Sequence, residues 1–236
     1  MAGNLDLNRI AVLPLAGGRN LDVWHAPAAD LRALLEHRCV DVAIMSSEHG
    51  FSPLGSASDC LSETLGVSVE EIKQLADWNR FDNEKVTLVA LRSRRENTAL
   101  KGLILAPGET ARCYRTFAMP IYGRPYRDFY YNVVYEAVSH AATHWGARKV
   151  GITHLSASHR FHQDIAICNA EAAFHFGSGG VRGLESLVFF GCCISNESLR
   201  GIDRLTTQNA NEVHRPIAVS IERPEQVEFI HLSWAN

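Results

Sequence analysis

The stretch from Thr116 to Ser156 constrains the fold more than any other part of the chain. It runs from the apolar TFAMPIYG, through the aromatic-rich YRDFYYNVVYEAVSHAATHWGARK, to the strand-like VGITHLS. All six tyrosines of the chain fall between Tyr114 and Tyr135. A strand that feeds a long helix and then another strand is a βαβ unit. In open α/β sheets the ligand lies outside the carboxyl ends of such strands. The fold class is therefore α/β, and the pocket is expected at the strand ends flanking this unit.

The flanking elements extend the same pattern. RIAVLPL, the turn AGGRN and LDVWHA read as a hairpin. Ala28 to His37 has helical spacing, and Cys39 to Met45 reads as a buried strand ending in the polar SSEHG. A helical region from Ser58 to Asn79 breaks at Gly66, and Ser68 with Glu71 has the spacing of a capping box. Lys85 to Leu91, Gly102 to Ala106, Glu185 to Ile194, PIAVSIE and QVEFIHLSW read as strands, and about Ile165 to Phe176 as a helix. Gly177 to Gly183 reads as a flexible connection. With no repeat or linker, residues 1–236 read as one domain with helices on a mixed sheet.

Composition narrows the partners. A net charge of −3 gives no electrostatic reason to expect nucleic acid. MAGNLDLNRI has polar residues where a signal peptide has its apolar region, and no apolar run approaches bilayer length, so a cytoplasmic protein without a membrane partner is expected. Six cysteines without a C-x-x-C are read as free thiols, with Cys192 and Cys193 alternating across the faces of a strand. No cofactor and no structural metal site are implied.

The run from Cys39 to Cys193 resembles a macro domain in the order and character of its segments. CVDVAIMSSEHGFSPLGSASDCLSETLG is similar to the family's strand, polar loop and glycine-containing loop running into a helix. FAMPIYGRPYRDFYYNVVYEAVSHAATHWGARKVGITHLS is similar to its strand, long helix and following strand. DIAICNAEAAFHF and ESLVFFGCC are similar to its closing helix and strand. The resemblance implies a three-layer sandwich with a mixed central sheet. It also implies an anionic, nucleotide-like ligand, ADP-ribose or a related molecule, and hydrolysis as the candidate activity. The N-terminal domain of leucine aminopeptidases shares that general fold, so fold alone does not fix function.

The chain departs from the family at the loops. Ser46 and Ser47 stand where macro domains carry an asparagine motif. The first phosphate loop, residues 52–57, has one glycine, Gly55, and the second, residues 157–162, has none. Glycines there let backbone N–H groups approach a pyrophosphate closely. The candidate ligand contacts are Ser46, Ser47, His49, Gly55, Ser156 and Ser158.

Eleven histidines are the most suggestive residue type, five of them between His140 and His162. His159 and His162 are the candidate acid–base residues. With Asp164 they also have the donor types of a metal site. The competing reading is a solvated polar loop with Asp164 capping the next helix. His140 and His144 have zincin spacing but lack the intervening glutamate, and read as a partly buried, hydrogen-bonded pair. Tyr126, Tyr130, Tyr131 and Tyr135, interleaved with Arg112, Arg115, Arg124 and Arg127, read either as a pocket for an anion or as a helix–sheet boundary. Arg92, Arg94 and Arg95 read as a solvated basic connection. Besides the ligand-binding reading, two others stay open. One is a metal-dependent enzyme using His159, His162 and Asp164. The other is a non-catalytic interaction protein, or homo-oligomer, pairing through its strand-rich tail.

Overall fold

Five parallel strands form the centre of the protein. In the computed structural model, which describes residues 5–47, 56–76, 85–107, 124–153, 163–179, 183–191, 193–205, 217–224 and 226–234, they are β2 (Arg19–Ala26), β3 (Val42–Ser47), β5 (Gly102–Pro107), β6 (Lys149–Ile152) and β7 (Ser186–Phe190). With β1 (Asn8–Leu15), β4 (Lys85–Arg92), β8 (Ile217–Glu222) and β9 (Val227–Trp234), they build one nine-stranded sheet ordered β1-β2-β7-β6-β3-β5-β4-β9-β8. β1 pairs antiparallel with β2, and β4, β9 and β8 continue antiparallel beyond β5.

Alternating side chains assign the two faces. Val42 and Ile44 of β3, Val150 and Ile152 of β6, and Leu187 and Phe189 of β7 face one core. Ala43, Met45, Val188 and Phe190 face the other. Strands buried on both faces read as continuous apolar runs, and all five residues of β7 are buried. Fully burying a Val, Leu or Ile side chain stabilises by about 1.5–3 kcal/mol, so these strands anchor both cores.

Six helices among the described residues form the outer layers. α1 (Leu31–Glu36), α2 (Ser56–Leu65) and α3 (Val69–Ala76) cover one face. α4 (Arg124–Trp145), α5 (Gln163–Ser178) and α6 (Asn196–Asp203) cover the other. On α4 the buried residues Tyr130, Val133, Val134, Ala137, Val138, Ala141 and Trp145 recur at helical spacing and make its inner stripe. The result is the three-layer sandwich with a mixed central sheet that the sequence implied.

Local chemistry explains the boundaries. Gly66 ends α2 with a φ of 72°, and the capping box opens α3: Glu71 N–H donates to Ser68 Oγ at 3.1 Å, and Ser68 N–H donates to Glu71 Oε2 at 2.9 Å. β3 starts at Val42 rather than Cys39, with Asp41 just before it. Its carboxylate accepts from the backbone N–H groups of Arg148 (2.7 Å) and Lys149 (3.1 Å), tying the start of β6 to that of β3.

The structure departs from the sequence reading in three other places. β7 stops at Phe190, Gly191 follows with a φ of 62°, and Cys193 is exposed beyond the strand rather than within it. α5 continues through Gly177 and Ser178, where a loose connection was expected. α6, capped by Ser195 Oγ accepting from Ser198 N–H at 3.1 Å, was not anticipated at all. The strand expected at Thr116 to Gly123 lies outside the described residues. Cys39, Cys60, Cys168 and Cys193 form no disulfide among the described residues, and no described helix is long and apolar enough to cross a membrane.

Gly102 is the more tightly enclosed of the described strand glycines Gly102 and Gly151. A Cβ there would sit 2.6 Å from Trp145 Cζ3 and 2.9 Å from the Leu91 carbonyl oxygen. Gly102→Ala should destabilise the protein by about 1–3 kcal/mol through overpacking against a backbone atom that cannot move aside. Urea denaturation of the two proteins measures the difference, and an unchanged midpoint would refute the packing account.

Candidate ligand site at the strand ends

The order of crossovers marks one place on the sheet. The chain leaving β3 passes through α2, α3 and β4 to reach β5, on one side of β3. The chain leaving β6 passes through α5 to reach β7, on the opposite side. β3 and β6 are neighbours, so their carboxyl ends flank a topological switch point, where two connections part and leave a crevice.

The ladders are unequal there. β3 pairs with β6 over Val42–Ile44, and Thr153 N–H then donates to the Ile44 carbonyl at 3.1 Å. Against β5, β3 runs on to Ser46↔Ala106 and Ser47↔Pro107. Ser46 and Ser47 thus stand at the carboxyl edge, past the last β6 residue with which β3 is in register. The other candidates, His49, Gly55, Ser156, Ser158, His159 and His162, lie outside the described residues. They belong to the connections that start at the ends of β3 and β6 and finish at the first residues of α2 and α5. Asp164 is the second residue of α5 rather than the residue preceding it.

Tyr130, Tyr131 and Tyr135 resolve as packing, while the side chains of Tyr126, Arg112, Arg115, Arg124 and Arg127 lie outside what the structure describes. Tyr130 and Tyr131 are 2% and 8% exposed. The Tyr131 hydroxyl lies 3.0 Å from His175 Nδ1, and its ring stacks on Tyr135 with centroids 5.8 Å apart. Burial pushes the Tyr131 phenol well up from its ordinary range, with the Tyr135 and Glu171 charges adding to the shift. Burial likewise raises the Glu136 carboxyl. These groups join α4 to α5; they do not line an open pocket for an anion. His175 and the fully buried Glu171 of α5 complete this seam, and no sequence motif singled them out.

The His140 and His144 pair is also structural. Their ring centroids are 4.7 Å apart, and His140 packs edge-on against Trp145 at 5.0 Å. His140 Nε2 lies 3.4 Å from Glu228 Oε2, which in turn lies 3.2 Å from Arg223 Nε. Contrary to the sequence expectation, neither His140 nitrogen has a hydrogen-bond partner among the described residues. Burial pushes the imidazole down to about 4, outweighing the attraction of a Glu228 carboxylate shared with Arg223. No group of three metal-ligating side chains is present among the described residues.

Sheet order, two helical layers and a carboxyl-edge crevice define a macro domain-like α/β fold. A mutant of the Oceanobacillus iheyensis macrodomain aligns with a TM-score of 0.50 at 7% identity, over 85% of this chain and 91% of that one. The same macrodomain with ADP gives 0.48 at 11% identity over 80% and 90%. A mutant tomato leucine aminopeptidase gives 0.49 at 15% over 80% and 36%. No protein-family model and no curated protein matches the sequence. At this identity the first of these likenesses speaks for the fold alone.

His140 supplies a pH dependence with a definite sign. Its folded pKa lies below the unfolded value of 6.5, so the unfolded chain binds the proton first. Its contribution is complete above pH 6.5 and declines as the pH falls towards 4. His140→Leu should flatten the fall in melting temperature between pH 6.5 and 4. Parallel profiles for the two proteins would refute the assignment.

Proposed function

We propose that this protein binds an anionic, nucleotide-like small molecule, ADP-ribose or a relative of it, in the crevice between the carboxyl ends of β3 and β6. The observation that carries the reading is the topological switch point, with Ser46 and Ser47 running past the β6 register. The macro domain-like fold supports it. A crevice of this kind offers hydroxyls and strand-end backbone N–H groups to phosphate oxygens.

Ser46, Ser47, Ser156 and Ser158 are the polar contacts in this reading, and His49 and Gly55 belong to the loop that follows β3. With few glycines in these loops, side-chain hydroxyls replace part of the backbone cradle. His159 or His162 takes or returns the proton if the bound molecule is hydrolysed, since imidazole titrates near neutral pH.

The test is a thermal-shift series followed by calorimetry with ADP-ribose. A ligand that binds the folded state alone raises the melting temperature with its concentration. Ser46→Ala combined with Ser47→Ala should weaken binding about tenfold, two hydrogen bonds' worth. His159→Ala with His162→Ala should slow any turnover by about 10²-fold or more while leaving affinity nearly intact. Absence of any shift with ADP-ribose, or serine variants that bind it as the parent does, overturns the reading.

A further inference from the structure

The opposite, amino edge of the sheet carries a cavity of about 600 Å³. Its main wall is the connection between β4 and β5, and Lys101 and Trp145 close it. That connection has a fixed shape. Ser93 N–H donates to the Lys101 carbonyl at 2.9 Å, and Arg94 N–H to the Leu65 carbonyl at 2.9 Å. Arg95 N–H donates to Ser93 Oγ at 3.2 Å, and Asn97 adopts a left-handed φ of 60°.

Four cations line the cavity, Arg92, Arg94, Arg95 and Lys101, against one carboxylate, Glu96. Two of the four are already engaged. Arg94 pairs with Glu71 at 3.1 Å and donates to Gln226. Lys101 donates to the Gly146 carbonyl at 2.5 Å and lies 3.9 Å from Asp41. Arg92 and Arg95 form no ion pair among the described residues. In a chain of net charge −3, this is a local concentration of positive charge.

A second observation is independent of the charges. Trp145, 7% exposed, lines the same cavity, and its indole Nε1 has no hydrogen-bond partner among the described residues. A buried donor without an acceptor costs about 1–3 kcal/mol. Nε1 itself has almost no accessible surface, so the ring around it, and not this donor, is what a ligand in the cavity would touch.

We propose that this pocket is a second binding site, for a small phosphate-bearing anion of the pyrophosphate class. Two guanidinium groups outside any ion pair among the described residues bring the charge, and the capacity for bidentate donation, that phosphate oxygens recognise. The volume also suits a nucleotide-sized molecule. The enclosing loop and single aromatic wall form a pocket, not the extended basic stripe that nucleic acid requires. This site lies across the sheet from the strand-end crevice and does not depend on it.

The experiment is a ¹⁵N-edited titration of the protein with inorganic pyrophosphate, following the Trp145 indole N–H resonance, assigned with Trp145→Phe. We expect a saturable shift. Arg92→Ala and Arg95→Ala should each weaken it about tenfold. Both residues are exposed, so the melting temperature of the double variant should stay at the parent value. The double variant should keep any ADP-ribose affinity, and Ser46→Ala with Ser47→Ala should keep the pyrophosphate response, which separates the two sites. ADP binding more tightly than pyrophosphate at this resonance would mark the ligand as a nucleotide; equal binding would mark the diphosphate as the recognised part. No saturable shift, or a shift with parental affinity in the double variant, overturns the proposal.

Discussion

Strand β3 has a paired neighbour on each side and a helical layer on each face, and the rest of the structure is what makes that placement possible. Val42, Ala43 and Ile44 are fully buried and Met45 is 6% exposed. With no water available, each backbone polar group must find a partner in the flanking strands. Both neighbours run parallel to β3, and parallel strands cannot be joined by tight turns. The crossovers that join them therefore carry helices, and those helices are the material of both covering layers. Where two crossovers part at the end of β3, the same constraint opens a crevice. The candidate site is a by-product of how a fully enclosed strand is connected.

What could be read from the sequence was what local chemistry decides. The Ser68 and Glu71 box, the stop at Gly66, the apolar stripe of α4 and the uninterrupted apolar run of β7 are each carried by a few adjacent residues. The failures have the opposite character. α6 buries only Ser198 and Ile202 within its eight residues, too short a stripe to register as periodicity. Cys193 looked like strand because Phe189 and Phe190 precede it, but Gly191 takes a left-handed turn first. Tyr131 allowed two readings until α5 was seen to supply His175 and Glu171 across the seam, and no spacing within α4 reveals a partner some forty residues away.

The two candidate pockets differed in legibility for the same reason. Ser46 and Ser47 could be named because a polar pair ending a buried strand points to the carboxyl edge whatever the details. The basic connection could not be recognised as a wall, because Arg92, Arg94 and Arg95 form a surface charge run in sequence. They enclose a volume only when Trp145, fifty residues on, arrives beside them.

Trp145 links several of these features through one ring. Its six-membered edge fills the space in which Gly102 can have no side chain, its plane meets His140 edge-on, and its body closes the basic cavity. Gly102 begins β5, and β5 pairs with β3. The end of α4 is therefore set against the sheet by a glycine that admits the indole. The cation pocket depends on that contact for its aromatic wall, and neutral His140 depends on it for part of its dry surroundings. A protonated His140 would put a charge against the same ring, so acid strong enough to titrate it should disturb the amino-edge pocket.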